Sequence, residues 1–187
     1  MNRRLTVAIA ATTALGLAAG GVVATAGAAA KKNEIRIVGG SVFKAGKYLK
    51  LNVRFAPANV TVKSGATVTL KNKGTDPEPH TISFVEKKYL PKSFDVAVNE
   101  QLLTAHQVDP NNEEAPPGVL VVDNGVAVPP GGTLEVDTGF TPTVAGDSAF
   151  IAPDQKTFSF KVTAKKGSKL FYFCAVHPWM QGKITVN

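Results

Sequence analysis

Phe173-Cys174-Ala175-Val176-His177-Pro178-Trp179-Met180 holds the only cysteine of a 187-residue chain, with a histidine three positions further on and a methionine six positions further on. A thiolate, an imidazole and a thioether are the soft and borderline donors that suit copper, whose electron-transfer sites set two histidines and a cysteine in a plane with a distant methionine. The stretch lacks one histidine. Asp76-Pro77-Glu78-Pro79-His80-Thr81-Ile82-Ser83-Phe84 supplies it upstream, at the mouth of an apolar, β-branched segment. The third histidine, His106, lies in neither stretch and reads as a solvated surface residue. Methionine is more often a core filler than a ligand, and an unpaired cysteine more often a small buried hydrophobe. The common spacing of Cys174, His177 and Met180 reverses both expectations.

Taken together, the two stretches resemble the cupredoxins, the small blue-copper proteins that include plastocyanin, pseudoazurin and amicyanin. The contracted Cys-x-x-His-x-x-Met loop, with Pro178 directly after the histidine, is most similar to that of amicyanin. The resemblance covers residues 49–84 and 157–187. It implies one type 1 copper, with His80, Cys174 and His177 as strong ligands and Met180 as the weak axial one. Two departures stand out: Ala175 and Val176 follow the cysteine where family members usually have Ser or Thr and then Pro, and Thr81 follows the first histidine where Asn is frequent. The resemblance further implies that the edge of His177 reaches the surface through an apolar patch beside Trp179, the route for electrons. The competing expectation for Trp179 is a buried aromatic covering the end of the fold.

Residues 1–30 begin with Arg3 and Arg4, continue uncharged and rich in Ala, Gly, Leu and Val, and end in Ala28-Ala29-Ala30 before Lys31-Lys32. This is the pattern of a cleaved signal peptide, with twin-arginine export a minor option; an uncleaved anchor is the competing reading of so long an uncharged run. The expected destination is the periplasm, the cell surface or the medium. Residues 31–187 are then enough for one domain with its own core. A lone cysteine in an oxidising compartment cannot close an internal disulfide and is open to oxidation, from which metal ligation protects it.

Alternation of apolar and polar residues marks short strands. Leu51, Val53 and Phe55 alternate with Lys50, Asn52 and Arg54; Val60 and Val62, then Val68 and Leu70, continue the pattern between turns at Ser64-Gly65 and Asn72-Lys73-Gly74. It returns at Phe158, Phe160 and Val162, over 170–174 and over 184–186. Short strands without a long helical period predict an all-β antiparallel sandwich, and the resemblance implies a cupredoxin-like one with Greek-key connectivity. His80 begins one strand and Cys174 ends another, so a sandwich brings the ligands together at one end.

Between the ligand stretches, residues 93–155 read as a long insertion. They contain ten acidic residues and no Lys or Arg, whereas residues 31–92 and 156–187 carry 19 basic and four acidic ones. Strands are expected over 118–122 and 133–136, a short helix over 99–108, and turns at Pro116-Pro117-Gly118 and Pro129-Pro130-Gly131-Gly132. The apolar runs at 119–122 and 150–151 predict that the stretch packs back on the sandwich.

Structural zinc sites complete a tetrahedron with a fourth strong ligand, often from Cys-x-x-Cys pairs, and a thioether is a poor substitute. A binuclear copper centre needs a second cysteine in the loop, and the catalytic coppers of oxidases need more histidines than this chain has. No hydrolase triad, phosphate loop or paired-carboxylate motif stands out, so an enzyme is not expected. The basic residues have the spacing of a solvent-facing surface that steers an acidic partner, and a nucleic-acid partner is not expected of an exported chain. The expected function is an exported mononuclear copper protein, a monomer without a membrane span after signal cleavage, carrying single electrons to a redox partner protein. A copper-binding module for storage, delivery or sensing is the alternative, and a domain that has lost redox function and serves a structural or adhesive role is a third. Phe171 and Phe173 are candidates for the dry shell around the sulfur.

Overall fold

The computed structural model describes residues 32–75, 77–93, 121–139 and 146–187. The expected signal segment, the helix over 99–108 and His106 lie outside these residues. Fourteen strands follow in chain order: β1 (Glu34–Val38), β2 (Ser41–Lys44), β3 (Tyr48–Leu51), β4 (Arg54–Ala56), β5 (Asn59–Val62), β6 (Thr67–Asn72), β7 (His80–Val85), β8 (Val121–Asp123), β9 (Val126–Ala127), β10 (Glu135–Val136), β11 (Ser148–Ile151), β12 (Thr157–Val162), β13 (Lys169–Phe173) and β14 (Gln181–Val186). The only helical turn among the described residues is a 3-10 turn at Lys87–Tyr89.

Twelve strands form two sheets. One has five strands in the order β10-β12-β6-β1-β4, and the other has seven in the order β5-β14-β13-β7-β11-β8-β9. The chain passes from one sheet to the other at β4–β5, β5–β6, β6–β7, β9–β10, β10–β11, β11–β12 and β12–β13, which makes a Greek-key β-sandwich. Alternation decides what each strand buries. In β6, Val68 and Leu70 point inward, and in β12 Phe160 and Val162 do so, with Phe160 opposite Val68 across an antiparallel register. The facing sheet answers with Ile82, Phe84, Tyr172 and Ile184. Phe84 packs edge-on to Phe160 at 5.6 Å, and Tyr172 edge-on to Phe55 at 5.1 Å; such pairs add to simple burial. The Tyr172 hydroxyl escapes the apolar core by donating to the Ala58 carbonyl at 2.8 Å.

One sequence expectation changes here. The run 50–55 is not one strand: Leu51 is exposed at the end of β3, the chain breaks at Asn52, and only Val53 and Phe55 enter the core. The alternation was continuous in sequence because two successive segments share a phase. The acidic stretch, in its described parts, is woven into the sandwich. β11 pairs with the central strand β7, β8 pairs with β11, and β10 joins the other sheet beside β12. Of the expected strand over 118–122, Val121 and Val122 are described and buried; of 133–136, Glu135–Val136 is strand. Buried Asp147 ties these pieces together. Its carboxylate accepts from the backbone N–H groups of Asn124, Asp137 and Thr138 at 2.9–3.0 Å.

Candidate metal centre

β7 and β13 are antiparallel neighbours, with Phe173 opposite Ser83 and Tyr172 opposite Phe84. The start of β7 and the end of β13 therefore meet at one end of the sandwich, which places His80 beside Cys174. The loop after Cys174 returns immediately: the N–H of Met180 donates to the His177 carbonyl at 2.8 Å, and the N–H of Cys174 to the Met180 carbonyl at 2.9 Å. This tight closure carries His177 and Met180 back over the same end.

The four side chains are buried, none more than 2% exposed. The Cys174 sulfur lies 3.6 Å from His177 Nδ1 and 4.0 Å from His80 Nδ1, and the ligand atoms of the three residues all lie within 4.8 Å of one another. A trigonal ion with metal–sulfur and metal–nitrogen bonds of about 2.3 and 2.0 Å sets its sulfur and nitrogen about 3.7 Å apart. The two observed separations bracket that value. Both imidazoles present the same nitrogen, as a shared ion requires. Met180 is fully buried in the inter-sheet core that also holds Cys174. The donor set, one thiolate, two imidazoles and a thioether in a dry setting, fits one type 1 copper.

The sulfur is further defined by the backbone N–H of Thr81, which donates to it at 3.3 Å. This bond needs no particular side chain at position 81, so the exchange of Asn for Thr leaves it in place. The Thr81 hydroxyl takes a second part: it accepts from the Ala175 N–H at 2.7 Å and continues through Ser83 at 3.0 Å to Ser148 at 2.8 Å. A buried chain of hydroxyls thus anchors the loop to β7 and β11. Burial pushes the Cys174 thiol above its ordinary pKa, and the N–H groups around the sulfur, Thr81 first, pull it back. A metal entering the site has that proton to displace.

Phe171 and Phe173 do not form the shell expected of them. Cys174 shares its strand parity with Leu170 and Tyr172, which face the core, whereas Phe173 packs on the outer face with Val85, Ala175, Tyr89 and Leu90. Phe171 is half-buried on that same side, with the Lys87 ammonium over its ring. The dry surroundings of the sulfur come from the inter-sheet core instead.

The edge of His177 also differs from expectation. It is 2% exposed, and its Nε2 lies 3.0 Å from a carboxylate oxygen of Glu78. With Nδ1 turned to the metal site, the ring proton is on Nε2 and donates to that carboxylate, the arrangement that orients metal-binding imidazoles elsewhere. Trp179, 38% exposed, stands edge-on to the His177 ring at 5.2 Å and donates from Nε1 to the Val53 carbonyl at 3.0 Å. Sequence reasoning missed Glu78; the available signal was its place as one of only four acidic residues in the basic parts of the chain, two positions before a ligand.

No protein-family model matches the chain, and no curated protein matches it in sequence. Among solved structures it is similar to a purple cupredoxin from Nitrosopumilus maritimus, at 18% identity over 82% of this chain and 98% of that one, with a TM-score of 0.40. An auracyanin from Roseiflexus castenholzii matches at 15% identity over 85% and 98%, TM-score 0.41. Plastocyanin from Dryopteris crassirhizoma matches at 19% over 82% and 99%, TM-score 0.37. No helix among the described residues is long and apolar enough to cross a membrane.

Proposed function

We propose that the chain is an exported one-electron carrier in which His80, Cys174 and His177 would hold one copper, with the Met180 thioether as a weaker fourth donor. The observation that carries this reading is the buried cluster of one sulfur and two imidazoles, with the sulfur 3.6 and 4.0 Å from the two Nδ1 atoms and all three ligand atoms within 4.8 Å of one another. When bound, copper supplies the electron by alternating between its two oxidation states. The protein's part is to hold still. Thr81, through its N–H and its hydroxyl, fixes the sulfur and the loop; Glu78 fixes the His177 ring; the inter-sheet core excludes water from the sulfur. Ligands set this firmly need little rearrangement between oxidation states. Their complete burial favours a resident ion over one handed on to another protein, the storage or delivery alternative. Electrons leave through the half-exposed Trp179 ring, which stands edge-on to the buried His177 at 5.2 Å. A redox partner protein docks there, steered by the basic scaffold.

Copper titration of the purified protein, followed by visible absorption and electron paramagnetic resonance, tests the reading. One equivalent of Cu(II) should give an intense thiolate-to-copper band that is absent in Cys174→Ser. A Cys174→Ser protein that keeps the band would overturn the ligand assignment. Rapid loss of copper to a chelator without loss of fold would favour delivery over electron transfer.

A further inference from the structure

β2 and β3 form a hairpin outside both sheets, and all eight of their residues are exposed. Their register sorts the side chains. Phe43 lies opposite Leu49 and Ser41 opposite Leu51 on one face, while Val42 faces Lys50 and Lys44 faces Tyr48 on the other. Phe43 is 76% exposed and Leu49 59%. A lone two-stranded hairpin is marginal in water, and a contiguous exposed apolar patch marks a surface covered when the protein works.

The hairpin is held firmly at its root. The Asn52 N–H donates to the Gly40 carbonyl at 3.0 Å, and the Gly40 N–H donates to the Asn52 side-chain oxygen at 2.7 Å. Gly39 has φ +89° there, and a Cβ at that position would collide with the Asn52 carbonyl. Both ligand-bearing loops are tied to this root. The N–H of Thr75, in the loop leading to His80, donates to the Gly39 carbonyl at 2.9 Å, and Trp179 donates to Val53, the residue after Asn52.

Charge selects the occupant. The hairpin carries Lys44, Lys47 and Lys50, and residues 35–75 contain eight basic residues and no acidic one. A second copy of the same cationic hairpin would be repelled. Protein interfaces are depleted in lysine. Lysines set among aromatic and aliphatic side chains are instead the pattern of a membrane interface, where the stems lie along apolar surface and the ammonium groups reach lipid phosphates.

We propose that the β2–β3 hairpin docks tip-first on an anionic lipid surface, with Phe43 and Leu49 on one face entering the headgroup region and Lys44 and Lys50 on the other face, with Lys47 at the turn, held by lipid phosphates. This sets the copper end of the sandwich close to the bilayer. The inference does not depend on the identity of the metal.

The test uses the full chain with phosphatidylcholine vesicles, with and without phosphatidylglycerol. Hydrogen–deuterium exchange should show added protection over residues 41–51 with the anionic vesicles only. Each of Lys44→Gln, Lys47→Gln and Lys50→Gln should weaken partitioning about fivefold, and the pair Phe43→Ser with Leu49→Ser by about tenfold or more. These positions are exposed, and an unchanged unfolding midpoint shows that each variant keeps its fold. Equal binding to both vesicle types, protection confined to residues outside 41–51, or wild-type partitioning of the folded variants would overturn the proposal. Lysine-dependent binding to soluble polyglutamate with none to vesicles would also overturn it, and would point to an acidic protein.

Discussion

Replacing Glu78 by Gln removes a charge while leaving an oxygen that can still accept from His177 Nε2. The carboxylate lies 3.0 Å from Nε2, and the imidazole ring and one metal–nitrogen bond separate that nitrogen from the ion. A unit charge about 7 Å away interacts by ~0.6 kcal/mol at a dielectric constant of 80 and by ~2.4 kcal/mol at 20. The Glu78 side chain is 59% exposed, which places the value toward the lower end, at about 1 kcal/mol. Because the negative charge favours Cu(II) over Cu(I), its removal should raise the reduction potential by roughly 40 mV, the one-electron equivalent. Protein-film voltammetry at neutral pH measures the change, with the visible spectrum as a control on the ligands. The shift should shrink in high salt, as for any partly exposed charge. An unchanged or lowered potential, with the spectrum intact, would refute the electrostatic role of Glu78.

Met180→Leu, which conserves volume, should keep copper and colour while raising the potential, because a weak donor is lost; complete loss of copper binding would show that Met180 is more than an axial neighbour. Thr81→Val should destabilise the fold by about 1–3 kcal/mol in denaturant unfolding, since the buried Ala175 N–H loses its acceptor, and Thr81→Ser should restore most of it. Burial raises the pKa of Asp147 above its ordinary value, the three backbone donors offsetting part of the rise. The folded protein therefore holds the Asp147 proton more tightly than the unfolded one, so this contribution to stability is present in full below the unfolded pKa and is lost as pH rises through the folded one. Unfolding free energies of wild type and Asp147→Asn, compared upward from about pH 3, should shift in favour of the variant through that window; a shift in favour of wild type would contradict the sign.

The ligand residues were legible because they are scarce. One cysteine, one methionine beyond Met1 and three histidines leave few ways to fill a copper site, and a strand end facing a strand start brings them together. The sandwich was legible wherever one strand face is buried, as in β6 and β12. β7 was legible as a strand begun by His80, but the burial of both its faces was not, because Thr81 and Ser83 read as solvent-facing positions. The exposed hairpin was hidden by its apolar composition, which mimics a half-buried strand. Glu78 and the Thr81 hydroxyl act across about 95 positions of sequence, and no local pattern reports such a contact.

The strand order also bears on when the protein becomes itself. β13 and β14, the latest of the fourteen strands in chain order, are not added at an edge but sit between β5 and β7. During synthesis, β5 and β7 emerge long before the pair that must come between them, so β5 stays separated from the rest of the larger sheet until residues 169–186 arrive. Such distant pairings are slow to form, and their unfilled edges are open to wrong partners in the interval. Cys174 and His177 arrive with the same closing pair. A nascent chain therefore has no copper site to fill, and metal acquisition falls at the end of assembly.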